Sequence, residues 1–284
     1  MLNFKIDEER CTQCGLCAID CPAQCIVMEG SNYPSIPEEN MCIRCQHCLA
    51  VCPTGALSIL DADPDHSLDI NGAFPSAESM EALIKGRRST RRYKQQNLER
   101  ETIEKLLKTA WHAPTATNAQ GVLFTATLNK KATRALGKKI YAKLEIMLAD
   151  LEPVEEENLA LKYMRMAHGA YCEYGMDIIL RGAPHLLIAS APKTAPKPLE
   201  DCAIALTSFE MMAQSMGLGT LWDGMLTWAL TDFFPELAEE LGVPADHQIG
   251  YCMVFGQPAV KYHRTVQRVP PTLNLIESLN GSGD

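Results

Sequence analysis

The sequence predicts an α+β chain of two domains: a small cysteine-rich unit at residues 1–62 and a larger mixed domain at residues 78–284, joined by a linker at 63–77. Three observations carry this reading. The length of 284 residues suits about two domains. Nine of the twelve cysteines fall before residue 53. Beyond residue 78, helix-like and strand-like segments are mixed without a regular βαβ rhythm, which favours α+β over a parallel sheet.

Apolar residues make up 46% of the chain and charged residues 21%, enough to build a core and too apolar for wholesale disorder. No apolar run approaches the roughly 20 residues that cross a bilayer, so no membrane partner is expected. The opening MLNFKIDEER has no apolar signal region, and a cytoplasmic chain is expected. The net charge of −9 is uneven, with 11 acids and 3 bases in residues 1–75. An acidic first quarter argues against nucleic acid as a partner. It suits docking to a basic protein surface, with solubility as the other reading.

The early cysteines are strictly ordered. Cys11, Cys14, Cys17 and Cys21 follow C-x2-C-x2-C-x3-C, with Pro22 next, and Cys42, Cys45, Cys48 and Cys52 repeat the pattern before Pro53, 31 residues later. This is an internal duplication. In a reducing compartment such cysteines point to metal or redox chemistry rather than disulfides. An iron–sulfur cube takes four thiolates, and in this two-cluster pattern the fourth cysteine of each run serves the other cluster. Cys11, Cys14, Cys17 and Cys52 are therefore assigned to one 4Fe-4S cluster, and Cys42, Cys45, Cys48 and Cys21 to a second. Structural zinc uses paired CxxC units with a longer spacer, which this pattern does not match. Cys25, opposite Ala56 in the repeat, reads as a small core position rather than a ligand. Each half should hold a cysteine loop, a short helix starting near its last cysteine, and strand pieces at Ile26–Met28 and Leu57–Ile59. The first 60 residues resemble a bacterial two-cluster 4Fe-4S ferredoxin.

After the Pro- and Gly-bearing linker, Ser76 is expected to cap a helix with Met80, Leu83 and Ile84, ending near Gly86. GRRSTRRY then packs four arginines into six residues. Asn97 is expected to cap a helix over 98–112 with an apolar stripe of Ile103, Leu106, Leu107, Ala110 and Trp111. Pro114 and the loop TATNAQG follow. Strands are expected at Val122–Leu128, His185–Ser190, Gly219–Asp223 and Gln248–Phe255, and helices at 130–149, 155–181 and 199–216. Glu155, Glu156 and Glu157 read as a solvated helix start favoured by the macrodipole.

RRSTRRY, APTATNAQ, MGLGTLWDG and GYCMVFGQPAVKYHR occur in an order and spacing that resemble the FMN-dependent nitroreductase family over residues 78–270. The whole chain resembles a ferredoxin-fused member of that family, of a kind described in anaerobic bacteria and archaea. The resemblance implies an FMN at a homodimer interface. It implies that Arg87 and Ser89 hold the phosphate and that Arg91 lies near the flavin N1 and C2 oxygen, with Arg88 a further cofactor-binding candidate. Guanidinium groups match phosphate geometry, and a cation near N1 stabilises a reduced flavin. Asn118 and Gln120 match amide positions that bond the flavin ring or ribityl chain, although Gly121 replaces the family's aromatic residue. Asp223 and Gly224 match the position where backbone N–H groups approach flavin N5. Arg264 and Arg268, ahead of Lys261, are candidates for a second phosphate contact.

Other motifs carry less. Trp222 stands where a G-x-G-x-x-G fingerprint starting at Gly217 would need glycine. His168 and Cys172 lack further ligands, and Cys202 and Cys252 read as buried thiols. Met211, Met212 and Met216 read as dimer or core packing. Tyr163, Tyr171 and Tyr174 are open as substrate-side residues. The functional expectation is an oxidoreductase that passes single electrons from a low-potential donor, a ferredoxin or another redox protein, through two 4Fe-4S clusters to FMN. FMN would then reduce a small-molecule acceptor: a nitroaromatic, a quinone or an activated alkene. The alternatives are an NAD(P)H-dependent reductase whose clusters store or export electrons, and a non-enzymatic electron-transfer subunit.

Overall fold

The computed structural model describes residues 1–30, 32–152 and 157–278. At the amino-terminal end, β1 (Lys5–Ile6) pairs antiparallel with β2 (Leu57–Ser58). Between them lie two four-residue helices, α1 (Leu16–Ile19) and α2 (His47–Ala50). Both helices start before the last cysteine of their run, earlier than the spacing suggested. The reason lies in their caps. Gly15 at φ 74° and Gln46 at φ 60° turn the chain into each helix directly after the second cysteine. Residues 26–28 form only a bridge, Val27 to Ser35, rather than a strand. The core here is small: Leu2, Cys25, Ile26, Cys48, Leu49, Leu57 and Ile59.

The linker is tied back to this unit. The Arg10 guanidinium forks onto both carboxylate oxygens of Asp65 at 2.9 and 2.8 Å, while its Nε donates to the Thr54 carbonyl at 2.9 Å. Then α3 (Ala77–Gly86) begins as expected, with Ser76 Oγ accepting from Ser79 N–H at 3.2 Å.

The larger domain is a four-stranded antiparallel sheet between two helical layers. It comprises α4 (Arg100–Ala110), β3 (Leu123–Ala126), α5 (Lys130–Ala149), α6 (Leu159–Tyr174), β4 (His185–Pro192), α7 (Pro198–Ser215), β5 (Gly219–Trp222), α8 (Gly224–Trp228), α9 (Pro235–Glu240) and β6 (His247–Gly256). The strand order is β3-β4-β6-β5. Strand periodicity divides the core. Leu186 and Ile188 of β4, with Cys252 and Val254 of β6, face α5, α6, α8 and α9. Leu187 and Ala189, with Met253 and Phe255, face α4 and α7. The fold is α+β, with helices on both faces.

Several elements differ from expectation. Glu99, not Asn97, precedes α4, and Asn97 Oδ1 instead accepts from Lys130 N–H at 2.9 Å. Trp111 is 49% exposed rather than part of the buried stripe. Helix α6 starts after Asn158, whose side chain caps Leu161 N–H, and stops at Gly175 in the left-handed region (φ 63°). Glu155 and Glu156 lie outside the described residues. Helices α8 and α9 are additional. Tyr171 stacks on Tyr141 with ring centroids 3.9 Å apart, while Tyr163 and Tyr174 are exposed. Cys202 and Cys252 are buried, and burial pushes the Cys202 thiol up to about 11. Among the described residues, no helix is long and apolar enough to cross a membrane.

Candidate functional site

The cysteine loops repeat in conformation as well as sequence. Left-handed backbone recurs 31 residues apart at Gln13 and Arg44, at Gly15 and Gln46, and at Gln24 and Gly55. Such turns aim successive N–H groups inward and make a nest for an anion. Arg44 N–H donates to Cys42 Sγ at 3.3 Å, and Ala56 N–H donates to Cys52 Sγ at 3.2 Å. Burial acts to raise the Cys52 thiol, but the Ala56 amide and neighbouring donors hold it below its ordinary value.

Cys11, Cys14, Cys17 and Cys52 line one cavity together, so the last cysteine of the second run joins the first three of the other. Cys21 Sγ lies 3.6 Å from Cys25 Sγ, with Cys42 near Cys25, and Cys48 lies near Cys45 and Cys42 of its own run and near Cys17 of the other. Among the described residues, no three His, Cys, Asp or Glu side chains converge on a single ion position. A four-iron cube holds its thiolates at separate corners, so spread donor sets of four cysteines within N–H nests fit such a group.

In the larger domain, the basic segment is threaded between two partners. Thr90 N–H donates to the Thr220 carbonyl at 2.8 Å, and Ser89 bridges Thr220 in parallel. On the other side, Lys94 N–H bonds the Gln257 carbonyl and Ala259 N–H bonds the Arg92 carbonyl. Tyr93, which is buried, donates its hydroxyl to the Thr90 carbonyl at 2.8 Å. Gly219 makes the approach possible, because a Cβ there would lie 2.7 Å from Thr90 Cβ.

This threading brings Arg88, Lys261 and Arg264 to one cavity of about 370 Å³, with His263, Thr90 and Gly219 also on its wall and no carboxylate. Arg88 Nη1 bonds the Lys85 carbonyl at 2.9 Å and the Arg87 carbonyl. Its Nη2 is buried without a partner. An unpaired buried guanidinium nitrogen is costly in isolation and calls for an anionic acceptor. The donor set thus fits a phosphate group.

Not every expected residue joins this cavity. Arg87 turns to Glu210, with Nη1 3.2 Å from Oε1. Glu210 is buried on α7 and also accepts from Thr220 Oγ1 at 2.8 Å and Trp222 Nε1 at 3.0 Å. Arg91 Nη1 approaches the Ser89 carbonyl at 3.4 Å, and Arg268 is exposed away from the cavity wall. Sequence reasoning did not single out Thr90, His263 or Glu210. A lone acid in the apolar run of α7 was the signal for Glu210.

Asn118 and Gln120 sit on a loop with three left-handed non-glycine residues, Thr117, Asn118 and Gln120. Strain of this kind persists only where surrounding bonds hold it. Here Asp201, buried on α7, accepts from Ala116 N–H at 2.9 Å, and Thr115 Oγ1 accepts from Gln120 N–H at 2.9 Å. Gln120 Nε2 donates to Asn118 Oδ1 at 3.1 Å. Asn118 Nδ2 donates to the Ile43 carbonyl at 2.9 Å, so this loop meets the loop between Cys42 and Cys45. Gly121 packs against Pro192, whose Cδ would lie 3.3 Å from an added Cβ.

Asp223 is buried and caps α8, accepting from Leu226 N–H at 2.9 Å, while its Oδ2 has no partner. Burial pushes this carboxyl up to about 7. Its amide is committed to the Cys252 carbonyl at 2.9 Å. The Gly224 amide is therefore the one at the open helix end. A Cβ at Gly224 would lie 2.9 Å from Tyr251 Oη.

The geometry defines a class: a small thiolate-rich redox domain beside an α+β domain whose cation-lined cavity suits a phosphate. The family comparisons agree with it. The model of the nitroreductase family matches residues 84–257, and that of a 4Fe-4S dicluster domain matches residues 4–59. The chain belongs to the nitroreductase family and carries an amino-terminal ferredoxin-type 4Fe-4S domain, which makes it an oxidoreductase. The ferredoxin-like protein in nif region of Sinorhizobium fredii is 39% identical over 58 residues, covering 18% of this chain and 88% of that protein. A solved nitroreductase with bound FMN from Bacteroides fragilis is 24% identical with a TM-score of 0.55, covering 70% of this chain and 99% of its own. Another with bound FMN, from Desulfitobacterium hafniense, is 21% identical with a TM-score of 0.54, covering 72% and 100%. These two show the fold of the larger domain.

Proposed function

We propose that the chain is an FMN-dependent oxidoreductase that works as a homodimer. Its cluster domain takes single electrons from a low-potential redox-protein donor. Its larger domain delivers them in pairs to an organic acceptor: a nitroaromatic, a quinone or an activated alkene. FMN would supply one- and two-electron chemistry, and two 4Fe-4S clusters would supply one-electron chemistry. Arg88, Lys261 and Arg264 would hold the FMN phosphate, with Thr90 at its edge. Asn118, Gln120 and the Gly224 amide would bind and orient the ring. Placement of the acceptor against that ring would supply the proximity on which the reaction depends.

The observation that carries the relay is the Asn118–Ile43 hydrogen bond. It joins the loop holding two ligands of the second cluster to the loop holding both candidate flavin amides. A short, bonded junction between two redox sites favours transfer inside the chain over separate functions.

The test begins with anaerobic purification, which should yield about eight irons and one FMN per chain. In stopped flow, reduced ferredoxin should bleach the flavin absorbance of the wild type. Cys45→Ala, which removes a ligand of the second cluster, should retain FMN but slow that bleaching at least about tenfold, a barrier change of roughly 1.4 kcal/mol. Equal bleaching in this variant, or faster bleaching of the wild type by NADH than by ferredoxin, would refute the proposed route.

A further inference from the structure

The side chain of Asp223, between β5 and α8, has no part in the reaction as proposed above. It is 4% exposed. Its two carboxyl oxygens are unequal. Oδ1 accepts from Leu226 N–H at 2.9 Å and so caps α8. Oδ2 is buried with no hydrogen-bond partner among the described residues. A buried charge with an unpaired oxygen is costly, and a proton on that oxygen removes much of the cost. Protonation of Oδ2 also leaves the cap on Oδ1 intact.

The groups around Asp223 leave it as the one poised near neutrality. Tyr251 Oη stands against Gly224, 2.9 Å from where a Cβ would be. Tyr93 donates its hydroxyl to the Thr90 carbonyl, and Cys252 is wholly buried on β6. Burial raises all three above their ordinary values, so each keeps its proton at neutral pH. Burial also pushes the Asp223 carboxyl up to about 7; the Leu226 and Met225 amides and Arg181 oppose this, while Asp177 adds to it. A carboxyl in that balance responds to new charge nearby, because a like charge favours its neutral form. Gly224, whose amide is assigned to the flavin ring, is joined to Asp223 by one peptide bond.

We propose that Asp223 is a redox-linked proton site, whose carboxylate takes a proton onto Oδ2 when electrons reach the ring beside Gly224 and gives it up when they leave. The proposal rests on the flavin reading above. The electrons are those of the proposed donor and acceptor. The proton comes from water and returns to water, and the bond made and broken is the O–H bond of Oδ2. The carboxyl thereby offsets charge that arrives before the acceptor does.

The test uses the full chain, purified anaerobically with its cofactors, and reads the flavin midpoint potential against pH by redox titration. Each proton taken up with two electrons makes the reduction equilibrium constant fall about tenfold per pH unit. Asp223→Asn keeps the cap but cannot titrate. Wild type and variant should run parallel well below pH 7, where the carboxyl is already protonated. Above about pH 7 the wild type should fall more steeply, by about a further tenfold per pH unit. Parallel lines throughout overturn the proposal. A second readout needs no variant: on reduction at about pH 8, the infrared spectrum of the wild type should gain a protonated-carboxyl band that shifts in D2O. Absence of that band overturns the proposal, and so does its persistence in Asp223→Asn, where another carboxyl would carry the proton. A wild type that binds no FMN removes the flavin reading instead, which the cofactor count shows before any titration.

Discussion

Replacing Glu210 tests whether a buried carboxylate organises the basic segment. Its side chain is 5% exposed and accepts three donors: Arg87 Nη1 at 3.2 Å, Thr220 Oγ1 at 2.8 Å and Trp222 Nε1 at 3.0 Å. Glu210→Leu keeps a side chain of similar bulk and removes all three acceptors. Stranding a buried ion-pair partner costs about 3–5 kcal/mol. Arg87 is 24% exposed, so solvent trims its share and the lower end applies to the pair. Each unsatisfied buried donor adds about 1–3 kcal/mol, which raises the total again for Thr220 and Trp222. A loss of about 5 kcal/mol is expected, and at roughly 2–4 °C per kcal/mol for a domain of this size the Tm should fall by about 10–20 °C. Chemical denaturation followed by tryptophan fluorescence reads this directly, since Trp222 donates to the carboxylate. Glu210→Gln should lose less, because its carbonyl still serves Arg87 and Thr220, although its amide faces the indole N–H. A Glu210→Leu protein within 1 kcal/mol of wild type, on the scale of a single net hydrogen bond, would refute the reasoning.

Two further outcomes follow from the same region. Gly219→Ala puts a Cβ 2.7 Å from Thr90 Cβ, so the basic segment must shift; a stability loss of about 1–3 kcal/mol is expected, together with weaker FMN retention on gel filtration, and unchanged retention would argue against the assigned cavity. Asp223→Asn preserves the cap but cannot ionise. Because burial raises the Asp223 carboxyl to about 7 from an ordinary 3.8, the folded protein binds the proton more tightly than the unfolded one. Its stabilising contribution is full below about pH 4 and is lost as pH rises through 7. Without FMN, the Asn variant should therefore match wild type in denaturation at pH 4 and exceed it at pH 8, by on the order of 4 kcal/mol; a gap that does not grow with pH would count against the buried carboxylate.

Much of this was legible in the sequence, for reasons that differ by element. The cysteine runs were legible because ligand spacing is written locally. Helix α5, expected over 130–149 and found at Lys130–Ala149, was legible from its periodicity, and the structure adds the Asn129 side chain as its cap on Ala132 N–H. Helix α6 was extended too far, although Gly175 carried the stop signal. The partnership of Arg87 was not legible. Its acceptor lies 123 residues away, and nothing near RRSTRRY distinguishes an arginine that meets a carboxylate from one that awaits a phosphate. Arg88 and Arg264 were named together, but what unites them is the pairing of residues 90–94 with Thr220, Gln257 and Pro258, which is tertiary.

The small domain makes the sharper case for reading chemistry before packing. Four of the six left-handed positions that match between its two halves are not glycine: Gln13, Gln24, Arg44 and Gln46. Each carries a backbone cost of about 1–2 kcal/mol. Glycine occupies Gly15 in one half but glutamine occupies the matching Gln46, and the conformation is the same. Local preference therefore does not dictate these turns. Nor does the core, which consists of a handful of apolar side chains and two cysteines. What the two halves share is a matched set of turns around the cysteines, and in the second half Arg44 N–H and Ala56 N–H donate to Cys42 Sγ and Cys52 Sγ. Ligation is the term large enough to offset the strain, and it acts only when the sulfurs are bound. On the proposed ligation, the loops would be shaped by their ligand rather than by their own sequence preferences, which accounts for a duplication written chiefly in the cysteines and the prolines that follow each run.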